Sequence, residues 1–184
     1  MQAGGSGFYT DTLAKLHQFL PLQDYLAFYL AYQNKDMEKP TCEERFIAHG
    51  GGKIDGYIYT NALDALDFSY KQGARLFELD LIETSDGKLV AAHDWKYYKT
   101  ITNYSGSVDD VPLSEAEFLS QRIYGKFTPL HMGRINTWFA QHEDAILITD
   151  KINDPQKLAE HFVFADRVIM ELFSRDAVEM ALKI

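Results

Sequence analysis

Between Arg75 and Asp94, apolar and polar residues alternate with the period of two that is typical of a β-strand. Glu78 and Asp80 fall on one face of this predicted strand, and apolar residues occupy the alternate positions. The two carboxylates lie two residues apart, which separates their Cα atoms by about 7 Å. Carboxylates held this close repel each other unless a positive charge lies between them or one binds a proton. The pattern therefore predicts a bound divalent cation with oxygen ligands.

A tight turn and a second apolar run follow the acidic pair. Ser85-Asp86-Gly87 is typical of a hairpin turn, and the run from Lys88 to Ala92 predicts a strand that ends at His93-Asp94. An acidic pair and a histidine therefore lie toward the ends of two neighbouring strands. This combination indicates a functional site, because a purely structural sheet rarely requires both.

Strand and helix patterns alternate along the rest of the chain from Arg45 onward. Other strands are predicted at 46–48, 145–149 and 167–173, and helices at 61–73, 114–121, 136–142, 155–164 and 175–183. Residues 95–130 otherwise form a long aromatic connection. This alternation predicts an α/β fold with a parallel sheet.

Chemically active residues follow several of the predicted strands. Ligand sites in parallel sheets lie at the carboxyl ends of the strands, so residues far apart in sequence meet there. We expect six side chains at this end of the sheet: His49, Glu78, Asp80, His93, Asp150 and Lys151.

The first 44 residues have a different pattern. Residues 11–33 predict a kinked helix or helical hairpin, and residues 34–44 predict a polar linker. We therefore divide the chain into an N-terminal helical extension, 1–44, and a (β/α) domain, 45–184. The extension either caps the domain or, because its second half is aromatic, docks on a membrane surface or partner.

Composition narrows the classes of function. The 184 residues are 46 % hydrophobic and 24 % charged, as in a globular domain, and the net charge is −9. An acidic chain without a basic cluster disfavours nucleic acid as a partner. The sequence has no signal-peptide pattern and no apolar stretch of about 20 residues, so we expect no membrane span and a cytoplasmic location by default. Cys42 has no second cysteine with which to form a disulfide.

Several motifs resemble those of the glycerophosphodiester phosphodiesterase family, part of the wider group that includes phosphatidylinositol-specific phospholipase C. They are Ala48-His49-Gly50-Gly51, Thr60 to Ala65, Glu78-Leu79-Asp80, Thr84-Ser85-Asp86-Gly87 and His93-Asp94. The resemblance implies a (β/α)8 (TIM) barrel and hydrolysis of phosphodiesters with a divalent metal, usually Ca²⁺ or Mg²⁺.

The resemblance also implies roles for individual residues. His49 and His93 would be the acid and base, Glu78 and Asp80 metal ligands, and Lys151 a phosphate contact. Asn61 stands in the motif after Thr60 and is a candidate substrate-binding residue. Trp95 is another candidate, because the aromatic loop after His93 forms either a lid over the substrate or a separate hydrophobic cluster.

The chain departs from the family pattern at three positions. Gly50 replaces an arginine, Thr60 replaces a glutamate, and Thr149 stands where the third metal carboxylate is expected. Asp150 is the neighbouring candidate ligand, but strand alternation turns it away from the face of Lys151 unless the strand end bulges or turns. Lys53 is a candidate replacement for the arginine.

Length is the largest departure, because a complete barrel takes about 250 residues. We count four β-α units, so the chain is either a fragment or a half-barrel. If four units are the natural form, exposed sheet edges predict a homodimer.

We therefore predict metal-dependent hydrolysis of glycerophosphodiesters or related phospholipid-derived phosphodiesters. The alternatives are a truncated barrel that acts as a binding or interaction module without catalysis, and an unrelated open α/β sheet.

Overall fold

The computed structural model describes residues 8–10, 46–107 and 112–184, and its strands form one mainly parallel sheet. The strands are β1 (Phe8–Thr10), β2 (Phe46–Ala48), β3 (Leu76–Glu83), β4 (Leu89–Ala91), β5 (Ile146–Asp150) and β6 (Val168–Met170). Their order in the sheet is β1-β2-β3-β5-β6. β4 pairs antiparallel with the last residues of β3, which forms the predicted hairpin.

Helices connect these strands. They are α1 (Leu63–Lys71), α2 (Trp95–Thr100), α3 (Glu115–Ser120), α4 (Met132–Gln141), α5 (Pro155–His161) and α6 (Arg175–Ala181), with 3-10 turns at His49–Gly51 and Ala165–Arg167. The predicted parallel α/β architecture is confirmed. α4 begins four residues earlier than predicted. α2 lies at the start of the 95–130 connection, where no helix was predicted.

Polar side chains fix where several helices begin. Ser114 and Glu117 form a reciprocal capping box at the start of α3. Asp154 caps α5, with Pro155 in the first helical position, and Ser174 caps α6. These caps satisfy backbone N–H groups that have no partner within the helix.

The sheet is buried by two hydrophobic clusters. The larger one packs α1, α4 and α5 against β3 and β5 through side chains such as Leu66, Phe77, Phe139 and Leu147. The smaller one fills the space under the 95–130 connection with Tyr98, Phe118, Ile123, Phe127 and others. Because β3 is central and covered on both faces, its two carboxylates lie in the interior.

One edge of the described sheet carries exposed apolar side chains. Ile169 on β6 is 51 % exposed, and Phe173, shortly after it, is 58 % exposed. Among the helices that the structure describes, none has the length and apolar character needed to cross a membrane.

The predicted helix at 11–33, the linker at 34–44 and Cys42 lie outside the described residues. β1 lies in the stretch that the sequence assigned to the extension, and it pairs in parallel with β2. The division at residue 44 stays a prediction.

Candidate active site

Three carboxylates meet where β3 and β5 run side by side. The register pairs Asp80 with Asp150, and Glu78 lies one pleat earlier on β3. Glu78 and Asp80 are each 1 % exposed. One oxygen from each of Glu78, Asp80 and Asp150 lies within 4.8 Å of the others. No bulge is needed for Asp150, because the strand pairing itself sets it opposite Asp80.

Burial dominates the electrostatics of this acidic cluster. Burial, and then the neighbouring Asp80 carboxylate, raise the pKa of Glu78 to about 8, although the Gly50 N–H works in the opposite direction. Burial also raises the pKa of Asp80. Glu78 Oε1 is buried and has no hydrogen-bond partner among the described residues. These oxygens therefore fit a hard divalent cation, which would supply the missing positive charge and occupy the unpaired oxygen.

Lys151 lies at the edge of the cluster. Its Nζ is 3.0 Å from Asp150 Oδ2 and 3.8 Å from Asp80 Oδ1. Its backbone is left-handed, with φ 67°, so the chain turns directly after β5 and the lysine side chain returns to the site. The hydrogen bond to Asp150 raises the pKa of Lys151. Partial burial opposes ionisation of Asp150, but its bonds to Lys151 outweigh that effect and lower its pKa.

His49 follows β2 and approaches Glu78. The distance from His49 Nε2 to Glu78 Oε2 is 3.9 Å. The next residue, Gly50, donates its backbone N–H to the same Glu78 oxygen at 2.6 Å. The turn at His49–Gly51 therefore positions an imidazole and an N–H group beside the buried carboxylate.

His93 follows β4 and is held by its neighbour. His93 Nδ1 lies 2.8 Å from Asp94 Oδ2, while Asp94 Oδ1 accepts the Tyr97 N–H and thereby caps α2. Burial works against ionisation of Asp94, but these two hydrogen bonds prevail and lower its pKa. The Tyr59 ring lies near both imidazoles, with ring centroids 4.6 Å from His49 and 6.3 Å from His93.

Three residues predicted to bind substrate have other surroundings. Asn61 is fully buried and bonded twice to Asp80, since its Nδ2 donates to Asp80 Oδ2 and its Oδ1 accepts the Asp80 N–H. Trp95 donates to the Glu83 carbonyl and packs in the smaller cluster. Lys53 makes no hydrogen bond or ion pair within the described parts of the chain.

These contacts show what each of the three residues does in the folded chain. Asn61 orients Asp80, a candidate metal ligand, and the Trp95 indole packs against the smaller hydrophobic cluster. Substrate contacts by Asn61, Trp95 and Lys53 stay predictions.

Two residues beside the histidines were not predicted to be part of the site. They are Asp94, which is bonded to His93, and Tyr59, whose ring contacts His49. The sequence signal for Asp94 is its place after a strand and before a helical turn, where a capping residue belongs. No sequence signal marks Tyr59, because its position depends on a left-handed backbone, φ 54°.

Comparisons with known proteins agree with this architecture. Residues 51–180 match the glycerophosphoryl diester phosphodiesterase family. A stretch of 73 residues is 40 % identical to the Bacillus subtilis protein YhdW, provisionally named a glycerophosphodiester phosphodiesterase; it covers 40 % of this chain and 29 % of that protein.

Solved structures share the fold at low sequence identity. A Parabacteroides distasonis glycerophosphoryl diester phosphodiesterase has a TM-score of 0.58 and 19 % identity, covering 74 % of this chain and 50 % of that one. An Oleispira antarctica phosphodiesterase, solved with the product sn-glycerol-3-phosphate, has a TM-score of 0.55 and 20 % identity over 75 % and 61 % of the two chains.

The chain thus spans half to three fifths of these solved relatives and less than a third of the curated one. Its sheet corresponds to part of their (β/α) barrel. The family match extends over most of the chain and includes every strand from β3 onward. The chain belongs to the glycerophosphoryl diester phosphodiesterase family.

Proposed function

We propose that the chain hydrolyses glycerophosphodiesters or related phosphodiesters, with a divalent cation held by Glu78, Asp80 and Asp150. The observation that carries this proposal is the meeting of three carboxylate oxygens within 4.8 Å, two of them on side chains that are almost fully buried. Lys151 supplies one positive charge against three acidic groups. Uncompensated charges in the interior are costly, which favours a cation as part of the working site.

Ca²⁺ and Mg²⁺ both suit a site made of carboxylate oxygens. When bound, such an ion stabilises the negative charge that builds up on the phosphoryl oxygens. The support for its position comes from Glu78 Oε1, a buried oxygen without a partner among the described residues. Asn61 holds Asp80 in place through two hydrogen bonds, so one ligand is already oriented.

His49 and His93 are the proposed acid and base. One takes a proton from the attacking hydroxyl or water, and the other gives a proton to the departing alcohol. With the Nδ1 of His93 donating to Asp94, its Nε2 is the atom that exchanges the proton. Lys151 lies beside the carboxylates and is the proposed cationic contact for the phosphate.

The proposed substrate class rests on the family and its named relatives. The Bacillus subtilis relative carries the glycerophosphodiester name, and the Oleispira antarctica structure contains sn-glycerol-3-phosphate as product. That product is what remains when the second alcohol of a glycerophosphodiester departs. A small phosphodiester with a glycerol 3-phosphate half is therefore the proposed substrate.

A binding module without catalysis is the second candidate. It is favoured by Gly50, where the family pattern has a charged side chain, and by Thr60, whose buried hydroxyl has no hydrogen bond among the described residues. The chain also represents only part of the barrel of its solved relatives.

Hydrolysis of glycerophosphocholine with Ca²⁺, with Mg²⁺ and with excess chelator tests the first candidate against the second. We expect turnover that chelator abolishes and that His93→Gln reduces at least 100-fold. His161→Gln is the matched control, because the His161 side chain is bonded to the Lys157 carbonyl on α5. Cation-dependent binding of sn-glycerol-3-phosphate without turnover would favour the binding module, and chelator-insensitive turnover would contradict the metal role.

A further inference from the structure

Position 50 has no space for a side chain. Gly50 has φ 56°, and a Cβ added there would lie 3.0 Å from the Tyr59 Cα. The Gly50 N–H is already committed to Glu78. The loop that follows β2 therefore cannot offer a phosphate group a side-chain donor from this position, and the space is filled by the backbone of Tyr59.

The segment that carries Tyr59 is held firmly. Tyr59 and Asn61 both have left-handed backbones, with φ 54° and 49°. The Asn61 N–H donates to the Gly50 carbonyl at 2.9 Å, and the Asn61 side chain is bonded to Asp80. Non-glycine residues rarely adopt this backbone conformation, and here the hydrogen bonds of Asn61 hold the chain in it. The held backbone fixes the direction in which the Tyr59 side chain leaves the chain.

The Tyr59 side chain lies near both histidines. The Tyr59 ring meets the His49 ring edge to face at 4.6 Å and lies 6.3 Å from the His93 ring. Its hydroxyl makes no hydrogen bond within the described residues. It lies near the Tyr97 side chain, whose pKa is raised by burial, by a hydrogen bond to Tyr124 and by the phenols around it.

The other donors near the carboxylates are mostly occupied. Lys151 is shared between Asp80 and Asp150, and His93 Nδ1 is bonded to Asp94. A phosphodiester bound between the imidazoles still has oxygens to satisfy. A neutral phenol can donate to such an oxygen without adding charge next to a bound cation.

We propose that Tyr59 is a substrate-contacting residue whose hydroxyl donates a hydrogen bond to a phosphoryl oxygen of the diester. The inference rests on the proposed function, because it takes the site between His49 and His93 as the place where the phosphoryl group binds. It adds a neutral donor beside the two imidazoles to the cationic contact proposed for Lys151.

Calorimetric titration of sn-glycerol-3-phosphate into the Ca²⁺-saturated protein tests this assignment. Tyr59→Phe keeps the ring and its contacts with both imidazoles but removes the hydroxyl, so we expect binding to be weaker by about tenfold or more, the effect of one hydrogen bond to a charged group. The Ca²⁺ affinity and the melting temperature should not change. In glycerophosphocholine hydrolysis, kcat/KM should fall by a similar factor.

Tyr57→Phe is the matched control. Tyr57 lies in the same loop, and its ring stacks on Tyr124 at 4.1 Å. Its hydroxyl likewise makes no hydrogen bond in the described structure, and binding should stay within twofold of the parent. If Tyr59→Phe binds as tightly as Tyr57→Phe, the Tyr59 assignment is wrong while the proposed function stands. If the parent protein binds no sn-glycerol-3-phosphate with Ca²⁺ or Mg²⁺ and hydrolyses no diester, both are wrong.

Discussion

Asp80 and Asp150 lie directly opposite each other in the parallel pairing of β3 with β5. The side chains of residues paired in this way point to the same face of the sheet. This register brings a carboxylate from a strand 70 positions further along the chain to the acidic pair of β3. The third acidic group of the site is therefore a consequence of strand pairing rather than of local sequence.

The buried acid on β3 should make the cation-free protein sensitive to pH. In the folded chain the pKa of Glu78 is raised to about 8 from its ordinary 4.5, by burial and by Asp80. Between these two pH values the folded state binds more protons than the unfolded state, so stability is greatest below 4.5 and falls as pH rises through 8. The raised pKa of Asp80 acts in the same direction.

Urea denaturation in the presence of chelator measures this effect. Between pH 5 and pH 8, we expect the free energy of unfolding to fall by on the order of 2 kcal/mol, and by much less in Glu78→Gln. Glu143→Gln, at an exposed position, is the control and should behave as the parent does. An equal loss in Glu78→Gln would show that Glu78 is not the responsible group.

Gly50→Ala should destabilise the fold more than an ordinary glycine substitution. At this position an added Cβ lies 3.0 Å from the Tyr59 Cα, and the backbone is left-handed. Gly56→Ala is the control, because Gly56 has φ 89° but nothing within 4 Å of the added Cβ. Thermal or urea denaturation should show Gly50→Ala to be at least about 1 kcal/mol less stable than Gly56→Ala. Equal losses of stability in the two variants would mean that the contact between the added Cβ and Tyr59 does not destabilise the fold.

Asp94→Asn tests whether Asp94 contributes to catalysis in addition to capping α2. Asparagine caps helices about as well as aspartate, so α2 should keep its stability. The substitution removes the negative charge that orients His93 and stabilises its protonated form, so kcat should fall roughly 100-fold. Asp154→Asn makes the same change at the cap of α5, where the Asp154 side chain accepts the Lys157 N–H, and should leave kcat within twofold. If Asp94→Asn has the same kcat as Asp154→Asn, Asp94 has no role in catalysis.

The alternation of strands and helices was predictable because buried strands and amphipathic helices have different periods. The predicted helices at 114–121, 155–164 and 175–183 begin within one residue of α3, α5 and α6, which Ser114, Asp154 and Ser174 cap. The helix α2 was not predicted, since Trp95–Thr100 contains aromatic and polar residues without a helical stripe. The early start of α4 was also missed, because His131 provides no side-chain cap at its first turn.

For the site, sequence position indicated which residues lie at strand ends but not what each one contacts. Glu78, Asp80 and Asp150 come together as the parallel topology predicts. Asn61 is a candidate substrate contact from its motif alone, and the motif does not reveal that its amide is hydrogen-bonded to Asp80. Tyr59 could not be predicted, because its place near both histidines depends on the left-handed backbones of Tyr59 and Asn61.

The exposed edge at β6 gives a prediction about assembly. Ile169 and Phe173 are more than half exposed at a strand that has no partner on its outer side among the described residues. Exposed apolar edge strands pair with other chains. Sedimentation of these 184 residues should show self-association that Ile169→Lys weakens, with Val163→Lys as a control at an exposed apolar residue away from this strand. A monomer at every concentration would contradict this prediction.

Calorimetric titration of Ca²⁺ and of Mg²⁺ into the chelator-treated protein at pH 7 tests the proposed metal site most directly. We expect saturable binding of one ion, lost in Glu78→Gln and unchanged in Glu143→Gln. Because the pKa of Glu78 lies near 8 without the ion, binding should also release close to one proton, seen as a dependence of the measured heat on the buffer. No binding of either ion, or equal binding by Glu78→Gln, would contradict the claim that these carboxylates form a metal site.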